Sequence, residues 1–160
     1  DPASSFHRFK SLPLNELVAA LTSLFRVHAE FCSRGWIAND FYDGAMIYDF
    51  ASGRLSLVDL DMYRDTPFPN DMGRMFGSTR FMAPEEFELG AEIDESTTVF
   101  NMGRCVDVFL GERIETAAIE SLLDVGKGAC QPERQSLWSS MREFHDAWLQ
   151  AIAHLRDKDS

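Results

Sequence analysis

The chain is poor in basic residues. It has 15 lysines and arginines against 26 aspartates and glutamates, which gives a net charge of −11 at pH 7. A surface that binds nucleic acid needs a basic face to neutralise phosphates, and this composition does not supply one. We therefore expect no nucleic-acid partner. Carboxylates are also the ligands that magnesium prefers, although most of them must be solvated surface groups.

Cysteine is scarce, and long apolar runs are absent. The three cysteines, Cys32, Cys105 and Cys130, are an odd number at wide spacings, which fits neither a disulfide framework nor a zinc-ligand pattern. The longest apolar stretch is too short to cross a bilayer, and no signal peptide opens the sequence. These features predict a cytoplasmic protein in a reducing compartment, without a membrane partner.

What is present is enough apolar sequence for one compact domain, because 45% of the 160 residues are hydrophobic. Apolar positions from Leu14 to Cys32 recur at the helical period, between Pro13 and Gly35. We predict a first helix over 12–34. Its His28 is expected at a boundary between core and solvent.

A second helix is predicted over 94–110. The short polar side chains from Asp94 to Ser96 can cap its free amides, and Gly111 stops it. Its apolar residues go nearly all the way round the axis, which predicts burial on every side. A third, amphipathic helix is expected within 111–156. Its apolar stripe is predicted to comprise Trp138, Met141, Phe144, Trp148 and Ile152.

Between the first two helices, the segments 46–49 and 55–58 flank the turn-like pair Ser52-Gly53, which predicts a short β-hairpin. Trp36, upstream of it, is expected in the core. The predicted fold class is mainly α with this small hairpin, arranged as a helical bundle around a buried central helix.

Two motifs stand on either side of a variable stretch. The first reads Leu57-Val58-Asp59-Leu60-Asp61, and the second reads Gly77-Ser78-Thr79-Arg80-Phe81-Met82-Ala83-Pro84-Glu85. Together they resemble the metal-binding motif and the end of the activation segment of protein kinases. Upstream, the stretch from Cys32 to Asp40 resembles the one that leads into the kinase catalytic loop, with Asp40 at the catalytic aspartate.

The resemblance is to the larger, C-terminal lobe of a bacterial-type serine/threonine-kinase-like protein. It divides the chain 1–160 into a post-hinge segment (1–11), the first helix (12–34), the catalytic loop and hairpin (36–61), the activation segment (59–85), the central helix (94–110) and the C-terminal helices (111–156). Nothing resembles a glycine-rich loop, and no lysine lies in a strand like the one that carries the ATP-pairing lysine. The N-terminal lobe is therefore predicted to be absent from this chain.

Phosphoryl transfer needs magnesium to neutralise the triphosphate and a carboxylate to orient the attacking hydroxyl. The resemblance implies that Asp40 is the catalytic base and Asp59 a magnesium ligand, with ATP and Mg²⁺ as cofactors. If the segment stays extended, Asp61 faces the same side as Asp59 and shares the metal; otherwise Asp61 is a solvated loop residue. Asp43 is a further ligand if its turn with Gly44 bends inward, and a plain turn residue otherwise.

Other matched positions concern the acceptor and the scaffold. Ser78, followed by Thr79 in the activation segment, stands where serine/threonine-directed members place a hydroxyl that bonds the catalytic aspartate, which favours a hydroxyl acceptor. The resemblance implies a structural ion pair between Glu85 and Arg134, with a register that differs by one from the family's. Gly103 matches the glycine within the family's central helix.

Five positions depart from the family pattern. Ala38 and Asn39 replace its histidine and arginine, so regulation by activation-loop phosphorylation is not expected. Tyr42 replaces a lysine, and Ala45 replaces a metal-binding asparagine. Thr98 stands where an aspartate usually anchors the catalytic loop, which leaves the support of that loop open.

Three functions remain open. The leading one is the catalytic lobe of an ATP- and Mg²⁺-dependent phosphotransferase, incomplete without an N-terminal lobe, that acts on a hydroxyl-bearing protein. A variant acts on a small molecule, as aminoglycoside and choline kinases do, although an intact Ala-Pro-Glu motif argues against it. The third is a pseudokinase that serves as a binding or scaffold module. The expected partners are a nucleotide, the acceptor, and either the missing lobe or a second copy at the exposed cleft.

Overall fold

The computed structural model describes residues 4–158 and consists mainly of α-helices. In chain order the helices are α1 (Ser5–Lys10), α2 (Leu14–Ser33), α3 (Glu95–Leu110), α4 (Thr116–Ala129) and α5 (Met141–Lys158). Residues 1–3 of the predicted segment 1–11 lie outside the described residues, and α1 occupies most of the remainder. None of the helices in the described range is both long and apolar enough to cross a bilayer.

Short strands pair antiparallel in twos. They are β1 (Trp36–Ile37), β2 (Met46–Asp49), β3 (Arg54–Leu57), β4 (Arg64–Asp65), β5 (Phe68–Pro69) and β6 (Glu92–Ile93). β2 and β3 form the predicted hairpin, with Met46 opposite Leu57. β1 pairs with β4, and β5 pairs with β6. Strands of two residues are too short to show a period in the sequence, so these two pairs depend on tertiary contacts.

α3 follows β6 and precedes α4 in the chain, and most of its residues are buried. The Asp94 side chain accepts a hydrogen bond from the Ser96 amide at 2.9 Å, and Gly111 follows the last turn. Its bounds therefore lie within one residue of the predicted 94–110. The buried residues of α3 are Thr97, Thr98, Val99, Asn101, Met102, Gly103, Cys105, Val106, Phe109 and Leu110.

Gly103 lies where α3 and α4 approach each other closely. A Cβ atom at this position would stand 2.5 Å from the Cβ of Ala129, 2.8 Å from the Sγ of Cys130 and 3.0 Å from the carbonyl oxygen of Gly126. Contacts below 3.0 Å force neighbouring atoms apart, and all three of these neighbours belong to the backbone or to a short side chain. Glycine at position 103 therefore allows α3 and α4 to approach this closely.

We expect Gly103→Ala to lower the free energy of unfolding by about 1–3 kcal/mol, because overpacking outweighs the helix-propensity gain of alanine. Chemical denaturation measures this change. Ala129→Gly removes the nearest facing atom, so the double variant should lose less than the two single changes added together. Strict additivity would show that the close approach at Gly103 does not limit packing.

The C-terminal helix packs on α2 through aromatic side chains. The Phe25 ring lies 4.9 Å from the rings of both Phe144 and Trp148, edge to face in each case. The Trp148 indole N–H donates to the Thr22 hydroxyl at 2.9 Å, which satisfies the polar atom of a fully buried side chain. Large aromatic area is thus removed from water where the two helices meet.

Three side-chain predictions are wrong. Trp138 precedes α5 instead of lying on its stripe, and its indole N–H donates to the Val125 carbonyl at 3.0 Å. Trp36 is 46% exposed, because β1 is a two-residue strand whose alternate side chains face opposite ways. His28 is fully buried instead of lying at a boundary. Its Nδ1 bonds the Leu24 carbonyl oxygen at 2.9 Å, and its Nε2 pairs with the Tyr63 hydroxyl at 2.8 Å.

Candidate active site

Asp40 and Asp59 stand on either side of the segment that contains the hairpin. Asp40 follows β1, after the buried Ala38 and Asn39, and Asp59 comes shortly after β3. Both have left-handed backbones, with φ of 60° and 56°. Such a conformation costs a non-glycine residue about 1–3 kcal/mol and persists only where surrounding contacts impose it. Both aspartates therefore carry backbone strain, as do Glu133 and Arg134, whose φ angles are 57° and 61°.

Tyr42 and the charge of Asp59 link the surroundings of the two aspartates. The Tyr42 hydroxyl donates a hydrogen bond to the Asp59 carboxylate. Burial raises the pKa of the Asp40 carboxyl, and the negative charge of Asp59 raises it further. The pKa of the Tyr42 phenol is raised as well, mainly by its hydrogen bond to Asp59. Burial and the charges of Asp59, Asp40 and Asp43 raise it further. One phenol and three carboxylates thus lie within electrostatic reach of one another.

The loop before Asp40 is fixed by α3. The Ala38 amide donates to the Thr98 hydroxyl at 3.1 Å, and both residues are buried. The side chain at position 98 thus accepts a hydrogen bond from the loop even though it is a threonine and not an aspartate. The loop before Asp40 is therefore supported by an uncharged acceptor, the Thr98 hydroxyl.

Asp43 is engaged by an arginine. Its Oδ1 accepts a hydrogen bond from Arg80 Nη2 at 2.7 Å, and the two form an ion pair. The residues Asp43–Ala45 form one turn of 3₁₀ helix. Gly44 in that turn makes room for the Tyr42 ring, because a Cβ there would stand 2.4 Å from a ring carbon. The ion pair favours the turn alternative for Asp43 over the metal-ligand alternative.

The premise for a metal shared by Asp59 and Asp61 is wrong, because the chain is not extended at Asp59, where φ is 56°. Asp61 is exposed and begins a turn. Within residues 4–158, no three histidine, cysteine, aspartate or glutamate side chains are grouped so as to hold a metal ion. Mg²⁺ is often bound by only one or two carboxylates together with substrate phosphates. Asp59, with Asp40 beside it, fits an ion of that kind.

An open groove of about 450 Å³ runs past Asp40. Its other lining residues are Tyr42, Asp43, Arg74, Phe76, Gly77 and Ser78. The Ser78 amide donates to the Phe41 carbonyl at 3.4 Å, which ties the segment 59–85 to the loop that carries Asp40. Thr79 is exposed and does not line this groove. The fold thus brings Ser78, but not Thr79, to the groove beside Asp40.

Glu85 and Arg134 are placed together away from that groove. Arg134 Nε lies 3.8 Å from Glu85 Oε1, but Arg134 Nη2 bonds Asp94 at 2.5 Å. The buried Glu85 carboxylate accepts a hydrogen bond from the Thr97 hydroxyl at 2.8 Å, which is closer than its contact with Arg134. Arg134 therefore joins the end of the activation segment to the cap of α3, with Asp94 as its nearer partner.

Glu86, next to Glu85, is also buried. Its Oε2 accepts hydrogen bonds from the Ala83 amide at 2.7 Å and from Asn101 Nδ2 at 2.8 Å. Burial raises the pKa of this carboxyl to about 7, because these two hydrogen bonds only partly replace the water lost by the charged form.

Several of these contacts have no local signal in the sequence. The bond from Ala38 to Thr98 spans 60 residues, and the ion pair between Arg80 and Asp43 spans 37. Arg74 lines the groove although no motif marks it. The tyrosine at position 42, where the resemblance predicts a lysine, is a sequence difference that points to a changed contact at Asp59.

Comparison with models of protein families finds no match, and comparison with curated proteins finds none either. Among solved structures, the chain is similar to the kinase PK-1 of Cydia pomonella granulovirus, with a TM-score of 0.62 and 17% sequence identity. The similarity covers 89% of this chain and 64% of that kinase, so the chain spans less than two thirds of its length. At this identity the similarity concerns the fold alone. The chain has a kinase-like fold, mainly helical with small antiparallel strand pairs.

Proposed function

We propose that this chain is the C-terminal lobe of an ATP- and Mg²⁺-dependent phosphotransferase that resembles bacterial-type serine/threonine kinases and acts on a hydroxyl group. The observation that carries the proposal is the position of Tyr42, which lines the groove together with Asp40 and whose hydroxyl donates a hydrogen bond to Asp59. Asp40 accepts the proton of the acceptor hydroxyl, and Asp59 holds the magnesium ion that neutralises the phosphates. The groove between Asp40 and Ser78 receives the acceptor.

We place the nucleotide at the face of the hairpin. A cavity of about 330 Å³ beside Asp43 is lined mainly by apolar side chains, among them Phe9, Met46 and Phe109. Ile47 on the same hairpin is 54% exposed. An N-terminal lobe in front of residue 1 is the proposed cover of this face, in a cytoplasmic protein. α3 serves as the central helix of the lobe and carries Thr98, which anchors the catalytic loop.

The test is magnesium-dependent transfer of labelled phosphate from ATP to a serine- or threonine-containing acceptor. It is carried out in a form of the protein that includes an N-terminal nucleotide-binding lobe before residue 1. Transfer that needs both Mg²⁺ and an acceptor hydroxyl supports the proposal. The residues 1–160 by themselves are expected to bind ATP no more tightly than about 1 mM, because one wall of the cleft is not part of them. Submicromolar binding by these residues contradicts this arrangement.

A pseudokinase that acts as a scaffold is the second candidate. Two contacts favour it: Arg80 engages the Asp43 carboxylate, and the Tyr42 hydroxyl engages that of Asp59. Both reduce the number of carboxylate oxygens free to bind magnesium. A protein that binds its partners but transfers no phosphate belongs to this class. A small-molecule acceptor is less favoured, because the Ala-Pro-Glu motif is intact and the groove that Ser78 lines beside Asp40 is open.

Tyr42→Phe is expected to raise the affinity of the chain for Mn²⁺, used in place of Mg²⁺, about two- to tenfold. The phenol hydroxyl competes with the ion for the Asp59 carboxylate, and a net hydrogen bond has a strength of that order. The electron paramagnetic resonance signal of free Mn²⁺ measures the binding. Tyr48→Phe is the matched control, since the Tyr48 side chain lines the hairpin cavity instead of the groove. Equal affinities in wild type and Tyr42→Phe would mean that Asp59 is not the metal ligand.

A further inference from the structure

The groove beside Asp40 contains an arginine that is fixed in place by the backbone. Arg74 Nη1 donates to the Met75 carbonyl at 2.8 Å, and Nη2 donates to the Gly77 carbonyl at 3.3 Å. These bonds hold the guanidinium against its own segment, which lines the groove together with Asp40 through Arg74, Phe76, Gly77 and Ser78. Arg74 is therefore oriented before any ligand arrives, which reduces the entropy lost on binding.

The charge of Arg74 is not neutralised within the described chain. No carboxylate among residues 4–158 forms an ion pair with it, whereas Arg80, six residues further on, is paired with Asp43 at 2.7 Å. A guanidinium has five N–H donors, and Arg74 uses only two of its groups on backbone carbonyls. Donors remain for a carboxylate, which a guanidinium binds with strong, charge-assisted hydrogen bonds.

Exposed apolar side chains lie near this cation. Phe76 lines the groove with 54% of its surface exposed. The Phe87 ring centre is 6.0 Å from the Arg74 guanidinium carbon, and Phe87 is 44% exposed. Met72, in the same segment, is 45% exposed. A ligand that reaches Arg74 thus meets apolar surface immediately next to the positive charge.

We propose that this groove binds an extended peptide segment in which a glutamate or aspartate pairs with Arg74 and a neighbouring apolar side chain packs on Phe76. In the context of the proposed function, from which the role of Asp40 is taken, this contact selects acceptors with an acidic residue near the phosphorylated hydroxyl. A polyanion such as nucleic acid does not fit, because the wall offers one unpaired cation on a protein with a net charge of −11.

The negative net charge distinguishes the proposed contact with Arg74 from nonspecific electrostatic attraction. A chain of charge −11 repels acidic peptides at long range and attracts basic ones. Preference for the acidic peptide must therefore come from a local contact.

The test uses three short fluorescein-labelled peptides without hydroxyl side chains, in which two leucines flank a central glutamate, glutamine or lysine. Binding to the full chain, without nucleotide, is followed by fluorescence anisotropy. We expect the glutamate peptide to bind about tenfold more tightly than the glutamine peptide, and the lysine peptide to bind most weakly. Arg74→Gln should abolish the difference between the glutamate and glutamine peptides.

Arg142→Gln is the matched control, because Arg142 is an exposed arginine on α5 that does not line the groove. It should leave the preference intact, and thermal unfolding of both variants should match wild type. Equal binding of the glutamate and glutamine peptides, tighter binding of the lysine peptide, undetectable binding of all three, or an equal loss in Arg142→Gln overturns the inference.

The outcome is separable from that of the proposed function. Binding that depends on Arg74 in a protein that transfers no phosphate keeps the docking groove and removes the phosphotransferase. Phosphate transfer to a serine peptide that is unaffected by Arg74→Gln, or by exchange of the glutamate for glutamine, keeps the phosphotransferase and removes the docking groove.

Discussion

Replacement of Asp40 by asparagine is expected to lower magnesium-dependent phosphate transfer about a hundredfold or more, because an amide cannot accept the proton of the acceptor hydroxyl. Asparagine tolerates the left-handed backbone found at this position, where φ is 60°. The bond from the Ala38 amide to Thr98 does not involve the Asp40 side chain and should persist. The loss would therefore report on chemistry and not on the folding of the loop.

Asp59→Asn should act differently on the same reaction. Because Asp59 is the proposed magnesium ligand, the variant should need more Mg²⁺ for half-maximal rate, whereas Asp40→Asn should leave that requirement nearly unchanged. Loss of the Asp59 charge also lowers the raised pKa of Asp40, so the residual activity should extend to lower pH.

Asp61→Asn serves as the comparison for Asp59→Asn, since Asp61 is an exposed aspartate two residues away. An unchanged Mg²⁺ requirement in this variant would assign Asp61 to the solvated loop. Equal transfer by wild type, Asp40→Asn and Asp59→Asn would mean that these aspartates do not catalyse the reaction, and the scaffold would then be favoured.

The second large effect is the dependence of stability on pH. Two buried groups, His28 and Glu86, change the free energy of unfolding in opposite directions as the pH rises. Burial lowers the pKa of His28 from 6.5 to about 4, against a smaller opposing effect of the hydrogen bond to Leu24. The unfolded chain therefore takes up a proton first as the pH falls, and stability is lost from pH 6.5 down to about 4. Burial raises the pKa of Glu86 from 4.5 to about 7. The folded chain keeps that proton longer, so stability is lost as the pH rises from 4.5 to about 7.

Each pKa shift corresponds to a change of about 3 kcal/mol in the free energy of unfolding, and the two pH ranges overlap almost completely. We therefore expect these two groups to offset each other in the wild type. His28→Gln should uncover a stability that falls as the pH rises from 4.5 to 7. Glu86→Gln, whose amide oxygen can still accept the bonds from Ala83 and Asn101, should uncover a stability that rises from pH 4 to 6.5.

Urea denaturation at a series of pH values measures the slope of the free energy of unfolding against pH. A loss of packing that is the same at every pH leaves this slope unchanged. Glu88→Gln, an exposed neighbour of Glu86, should follow the wild-type curve. Parallel curves for His28→Gln and Glu86→Gln would contradict the assignment, because the two groups must move the slope in opposite directions.

The elements that the sequence predicts well are those with local signals. The cap at Asp94 and the glycine after Leu110 bound α3, and both act within a few residues of the helix end. The hairpin of β2 and β3 is similarly marked by the turn between its strands. Trp138 shows the limit of periodicity, because it continues the stripe of α5 in the sequence but precedes the helix in the structure.

The candidate site was predictable only in part. The motif spacing selects Asp40, Asp59 and Ser78, but it contains no information on which oxygen each side chain meets. The positive φ of Asp59 turns the chain away from the extended form that would align Asp61, and the ion pair with Arg80 engages Asp43. Both facts depend on contacts between segments that are distant in sequence.

The amino-acid order by itself determined the mainly helical class of the fold, the bounds of α2 and α3 to within two residues and the identity of the acidic residues, because periodicity, caps and turns act between near neighbours. Tertiary structure decided how those acids are used. The Thr98 anchor, the Tyr42 bond to Asp59 and the position of Arg74 in the groove arise from packing of remote segments, where burial and charge are set by neighbours that no short window of sequence contains.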